Sequence, residues 1–137
     1  MSQDQGPSLE ASQKAERTVL IVDDEAGTRR LLRSTVEGQS VPCRIFEAVE
    51  GDAALRIARR EHPDLVLLDI VLPGSSVSGV LVCQELCKDL NCKVVIVSGK
   101  AGESIVKVCV YTGAVAHIRK PFSVDEMRGR IEGWLAN

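Results

Sequence analysis

Five short apolar runs, each followed by a segment of helix-spaced apolar residues, predict an α/β chain, a (βα)5 doubly wound parallel five-stranded sheet. Three observations carry that reading. The run Leu65-Val66-Leu67-Leu68 is continuously apolar and bracketed by Pro63 and Pro73, which suits a strand buried on both faces and is too short for a helix. Strand and helix signals alternate along the whole folded part of the chain, without an internal repeat or a linker. The runs also end on polar residues: Asp23 and Asp24 after the first, Asp69 after the third, Ser98 after the fourth, Lys120 after the fifth. With right-handed crossovers these ends share one edge of the sheet, the edge where open α/β sheets bind ligands.

Residues 1–16 are polar, with almost no apolar content, and are expected to form a disordered leader to a single domain over 17–137. Strand one is Arg17 to Val22, followed by Asp23-Asp24-Glu25. Thr28, Leu31, Leu32, Thr35 and Val36 recur at helical spacing, and Gly38 stops that helix. Cys43 to Ala48 alternates as an edge strand does, with Pro42 just before it. The second helix carries Ala54, Ile57 and Ala58 on one side, and the Leu65 strand follows. The loop Gly74 to Gly79 is rich in Gly and Ser and reads as flexible. Helix three is expected over about Val80 to Leu90, strand four over Val94 to Val97, and helix four over about Glu103 to Thr112, stopped by Gly113. Strand five is expected over Val115 to Ile118 and helix five over Val124 to Leu135. On helix four, Ile105, Val108, Cys109 and Thr112 form an inward stripe, while Val106, Val110 and Tyr111 fall outside it, as residues of a partner surface do.

At 137 residues the chain is long enough for one core, and with 45% hydrophobic but only 3% aromatic residues that core must be aliphatic. A net charge of −2, from 17 basic and 19 acidic residues mixed along the chain, argues against direct nucleic-acid or membrane-surface binding, both of which want a basic excess. No apolar run approaches membrane-spanning length and the N-terminus lacks the apolar centre of a signal peptide, so the cytoplasm is the expected compartment. Cys83, Cys87 and Cys92 raise the question of a metal or redox site. Their spacing matches no C-x-x-C pair and no second cluster completes a tetrahedral set, so they read as small buried hydrophobes.

Each polar strand end has an ordinary use of its own. Asp69 suits a turn before Pro73, Asp23 and Asp24 suit a helix N-terminus, and Lys120 suits a surface ion pair. Gathered at one edge they offer something more specific. Three clustered carboxylates repel one another, and a Mg²⁺ ion relieves that repulsion through oxygen ligands. A carboxylate beside Mg²⁺ can attack phosphorus to give an acyl phosphate, with the metal, the Lys120 ammonium and the Ser98 hydroxyl holding the equatorial oxygens.

At these residues the chain resembles the receiver domain of two-component response regulators. Asp23-Asp24-Glu25, the segment Asp69-Ile70-Val71-Leu72-Pro73-Gly74, Ser98, and Lys120-Pro121-Phe122 follow the family's order and spacing, over about Arg17 to Leu135. The resemblance implies a flavodoxin-like sheet of order 2-1-3-4-5. It implies Asp69 as phosphoacceptor, Asp24 as a direct Mg²⁺ ligand, Asp23 as a ligand through water, and Val71 as a ligand through its backbone carbonyl. Ser98 matches the switch hydroxyl, Gly99 its small neighbour, His117 the switch position on strand five, and Lys120 the family lysine, with a cis bond to Pro121. The implied partners are a sensor histidine kinase or phosphotransfer protein, and a downstream protein target or a second copy bound through helix 4, strand 5 and helix 5.

Such a chain is a signalling domain that assists its own phosphorylation and dephosphorylation and is not otherwise an enzyme. The rival readings are a Mg-dependent haloacid-dehalogenase-like phosphatase and a phosphorylation-independent dimerising adaptor. The phosphatase wants a second acid two residues after the nucleophile, where Val71 stands. The chain departs from the family pattern in a longer loop from Pro73 to Gly79. The resemblance implies that the side chains two residues after the phosphoacceptor and two after the switch hydroxyl flank the path of attacking water. Here they are Val71 and Lys100, and Val71 cannot orient water, so a long-lived phosphoryl group is expected.

Overall fold

The computed structural model describes residues 16–99 and 103–136. Its strands are β1 (Arg17–Val22), β2 (Cys43–Ala48), β3 (Leu65–Leu68), β4 (Lys93–Ser98) and β5 (Ala116–Arg119). Its helices are α1 (Ala26–Glu37), α2 (Gly51–Glu61), α3 (Gly79–Gln84), α4 (Glu103–Thr112) and α5 (Val124–Leu135). The strands form one parallel sheet in the order β2-β1-β3-β4-β5. The leader through residue 15, and Lys100, lie outside the described residues.

Alternation along the central strands divides the core into two halves. Leu20, Val22, Val66, Leu68, Val94 and Ile96 face α2, α3 and α4, where they meet Leu55, Val82, Leu86 and Ile105. Val19, Ile21, Leu65, Leu67, Val95 and Val97 face α1 and α5, where they meet Leu32, Val36, Met127 and Ile131. All four residues of β3 are fully buried, as its unbroken apolar run requires. Burying one such leucine contributes about 2 kcal/mol, so the strand that ends at Asp69 is among the most firmly held parts of the molecule. β2 alternates and lies at the sheet edge, as its pattern predicts.

Three details differ from the sequence expectation. β5 is shifted one residue on, leaving Val115 exposed before it, although the Val115 amide still donates to the Val94 carbonyl at 2.9 Å. Helix three is not α-helical throughout: after Gln84 it widens into a π-helical turn over Glu85–Asp89, closed by the Leu90 amide on the Glu85 carbonyl. A single π-helical turn changes the spacing by only about one residue, too little for the apolar pattern to mark it. The loop after β3, flexible by composition, is tied down. The Ser75 hydroxyl accepts from the Gly51 amide at 2.9 Å, and Ser76 hydrogen-bonds Asp52 in the first turn of α2.

That loop closes on itself at Gly79. A side chain there would place its Cβ 1.9 Å from the Ile70 carbonyl oxygen, so only glycine allows the start of α3 to pass so close to the exit of β3. Gly113 has φ +92°, a conformation that suits the glycine stop read after α4. On α4 the inward stripe is the expected one. Ile105 and Thr112 are buried and Val108 and Cys109 half-buried, whereas Val106, Val110 and Tyr111 are 60%, 80% and 59% exposed.

Candidate functional site

Backbone pairing at the carboxyl edge of the sheet sets each polar group in place. The Asp23 amide donates to the Ala48 carbonyl (3.1 Å), the Asp69 amide to the Val22 carbonyl (2.8 Å), and the Lys120 amide to the Ser98 carbonyl (2.8 Å). These bonds continue the parallel ladders by one step beyond the strands and bring residues far apart in sequence to one rim. Asp23 is 1% exposed, Asp69 7% and Ser98 0%, while Asp24 stands exposed.

Lys120 is the hub. Its ammonium donates to Asp23 Oδ2 at 2.8 Å and to Asp69 Oδ2 at 3.0 Å, with Glu25 Oε1 at 3.5 Å. The other oxygen of each aspartate is used by the backbone: Asp69 Oδ1 accepts from the Val71 amide and Asp23 Oδ1 from the Glu25 amide, both at 2.9 Å. Burial pushes the Asp69 carboxyl above its usual pKa, and the Asp23 charge adds to that. The Val71 amide and Lys120 oppose the shift without cancelling it. For Lys120 burial works downward, but the hydrogen bonds and charges of Asp23 and Asp69 overcome it and the ammonium is held upward. The Lys120–Pro121 bond is cis.

One carboxylate oxygen from each of Asp23, Asp24 and Asp69 lies within 4.8 Å of the others. Three carboxylates against one ammonium leave two negative charges uncompensated, and hard oxygen donors at this spacing fit a small divalent cation such as Mg²⁺. The trio opens into a depression of about 480 Å³ walled by Asp24, Asp69, Val71, Ser98, Gly99 and Lys120. All the strand-end residues singled out in the sequence therefore meet here. His117 does not line this depression. It pairs with Ile96, two residues before Ser98, so strand alternation puts His117 and Ser98 on one sheet face, a diagonal step apart.

Two further residues contribute, and one of them escapes a pattern reading. Arg29, one turn into α1, donates to the Asp23 carbonyl at 2.8 Å and to Glu47 at 3.0 Å, binding the Asp23 backbone to β2. Glu25 reaches toward Lys120 across the sheet edge; as the third acid of its run it is the only one of the two with a sequence signal. The five cysteines are all free thiols, with Cys83 and Cys92 buried in the core, and among the described residues they form no metal-binding group. No helix among the described residues is long and apolar enough to cross a membrane.

Comparison with known proteins assigns this geometry to a family. The family model for the response regulator receiver domain matches residues 19–132. The chain belongs to that family. It is a receiver domain, a signalling domain of two-component response regulators.

Among curated relatives, the sporulation initiation phosphotransferase F of Bacillus subtilis (strain 168) is 34% identical over 117 residues, covering 85% of this receiver and 92% of that protein. The probable transcriptional regulator ycf27 of Porphyridium aerugineum is 37% identical over 119 residues, covering 85% of this chain but 47% of its own length. The chain thus spans about half of such regulators. Among solved structures, the receiver domain of NtrX from Brucella abortus is 31% identical with a TM-score of 0.76, covering 87% of this chain and 98% of that one. A CheY-like receiver domain protein from Methanospirillum hungatei JF-1, at 24% identity and TM-score 0.77, covers 89% of this chain and 95% of its own and shares the receiver fold.

Proposed function

We propose that this receiver, taken as residues 17–137, accepts a phosphoryl group on Asp69 from a phosphohistidine of a sensor kinase or phosphotransfer protein, in the cytoplasm. A carboxylate oxygen of Asp69 attacks phosphorus, the P–O bond forms as the P–N bond breaks, and the electron pair stays on the imidazole nitrogen of the donor. The observation that carries this reading is the Asp69 carboxylate itself. It is buried, raised in pKa, and held at 3.0 Å by a lysine that holds a second buried carboxylate at 2.8 Å.

Asp23, Asp24, Asp69 and the Val71 backbone carbonyl are the groups that would hold Mg²⁺. Bound there, the ion supplies positive charge against the oxygens of the transferring group. Lys120 sits beside Asp69 to neutralise charge that develops on the phosphoryl oxygens, and the Ser98 hydroxyl, at the end of β4, is placed to follow them. His117, on the same sheet face, would then report the state of Ser98 to the surface made by α4, β5 and α5.

Incubation with acetyl phosphate and Mg²⁺, followed by intact-mass measurement, tests the reading. One phosphoryl group should be added to the wild-type chain and none to Asp69→Asn, and Asp24→Ala should weaken Mg²⁺ binding. A phosphoryl group that persists in Asp69→Asn would place the chemistry elsewhere.

A further inference from the structure

The chain between Asp69 and Gly79 borders the proposed phosphoacceptor and contains no regular structure, yet besides the outer Ser76–Asp52 contact it is fastened at two points. One is the neck, where Gly79 backs onto the Ile70 carbonyl. The other is Ser75, halfway round. Its hydroxyl accepts from the Gly51 amide at 2.9 Å and from the Val77 amide at 3.2 Å, and donates to the Val77 carbonyl at 2.9 Å. The Ser75 amide donates to the Leu72 carbonyl at 3.0 Å, closing the turn that contains Pro73. The hydroxyl therefore uses its donor and both its acceptor sites, two of them inside the loop and one outside it.

The outside partner matters because of where it lies. Gly51 opens α2, three residues after Ala48, whose carbonyl holds the Asp23 amide. There is no slack at that point. A Cβ on Gly51 would lie 2.7 Å from Val82 Cγ2 and 2.9 Å from the Ser75 hydroxyl, so the α2 terminus, the loop and α3 are pressed together. One junction, β2 to α2, thus fixes both the Asp23 backbone and the loop that carries Val71 and Pro73. Val71 donates its amide to Asp69, and Pro73 walls the same depression.

We propose that Ser75 is a positioning residue of this site: its hydroxyl fastens the β3–α3 loop to the first turn of α2 and so fixes Val71 and Pro73 at the mouth of the Asp69 depression. The proposal rests on the phosphoacceptor reading above, and in particular on the Val71 carbonyl as a Mg²⁺ ligand. Loss of Ser75 leaves the loop fastened at its neck and by the outer Ser76–Asp52 contact, in a stretch whose Gly74 and Ser76 are both exposed. The Val71 carbonyl then has to be ordered by the metal itself, at the expense of metal affinity.

The experiment is a Mg²⁺ titration by calorimetry of the full chain, with acetyl-phosphate labelling as a parallel readout. Ser75→Ala should bind Mg²⁺ roughly tenfold more weakly, in the range typical for outer-shell partners of metal ligands. It should still be labelled on Asp69 at saturating Mg²⁺, and Ser75→Thr, which keeps a hydroxyl, should recover most of the affinity. A merely structural serine would lower the melting temperature and leave Mg²⁺ affinity unchanged, and that result overturns the proposal. If Ser75→Ala does not fold, hydrogen exchange at the wild-type Gly51 amide decides. Coupling is reciprocal, so Mg²⁺ must slow that exchange by a similar factor, and exchange indifferent to Mg²⁺ overturns the proposal. A wild-type chain that takes no label on Asp69 defeats the phosphoacceptor reading and the proposal with it. A labelled wild type matched in every respect by Ser75→Ala defeats the Ser75 assignment alone.

Discussion

A single ammonium bridges Asp23 and Asp69, and both carboxylates are almost wholly buried. Lys120→Ala leaves the two charges facing each other with no cation between them. The expected cost is about 3 kcal/mol, read from chemical denaturation at pH 7, because an uncompensated buried charge is what makes a broken pair expensive. The Asp69 pKa is raised in the folded chain, so the folded form takes up its proton at a pH where the unfolded chain is still ionised. Folding stability therefore falls as pH rises from the usual carboxylate value through the raised one, and the deficit persists above it. Asp69→Asn lacks that deficit. It should melt higher than wild type at neutral pH, with the difference shrinking as pH falls from the raised value toward the usual carboxylate range. At this scale the sequence is a good guide wherever a polar residue follows an apolar run directly, as Asp23, Asp69 and Ser98 do, since the strand then dictates the address. It is silent on Arg29 and Ser75, whose partners, the Asp23 carbonyl and the Gly51 amide, are backbone groups that leave no mark on side-chain patterning.

Among the elements, β1, β3, α4 and α5 have the limits their apolar pattern assigns, because each buries one face or both and is bounded by Gly, Pro or charge. The π-helical turn after Gln84 and the fastening of the loop 74–78 have no periodic signature: one is a change of backbone pitch, the other a set of hydrogen bonds to hydroxyls. Gly79 belongs with them. Its sequence context reads as an ordinary loop end, whereas the structure leaves no room for a Cβ between it and the Ile70 carbonyl. Gly79→Ala should destabilise the chain by about 3 kcal/mol, at the upper end of overpacking costs, since the obstacle is backbone that cannot rotate away. Thermal denaturation checks this, and a mobile loop would absorb the change with little loss. Gly27 has open space around its Cβ position, so Gly27→Ala is the matched control in which no such penalty is expected.

Over the whole molecule, alternation of strand and helix announces a parallel sheet but not the order of its strands, which depends on the side of the sheet to which each crossover turns. The order β2-β1-β3-β4-β5 was legible only through the receiver motifs. It puts β5 at an edge, flanked by α4, with Val106 and Val110 turned to solvent, and by α5. Val106→Glu combined with Val110→Glu should abolish self-association or target binding in sedimentation or pull-down measurements while leaving Asp69 labelling intact. Unchanged association would exclude α4 as the contact. α5 is anchored unevenly. Its last turn carries no basic residue of its own, and the cations come from strands instead: Arg17 of β1 donates to the Leu135 carbonyl at 3.0 Å and Lys93 of β4 to the Trp134 carbonyl at 2.7 Å. Its other end begins four residues after Lys120. The helix is therefore a lever with its fulcrum at the far rim of the sheet. At 12 residues, about 18 Å, a push of ~1 Å at Ser123 becomes a tilt of roughly 3°, largest beside the carboxylates and vanishing at Arg17 and Lys93.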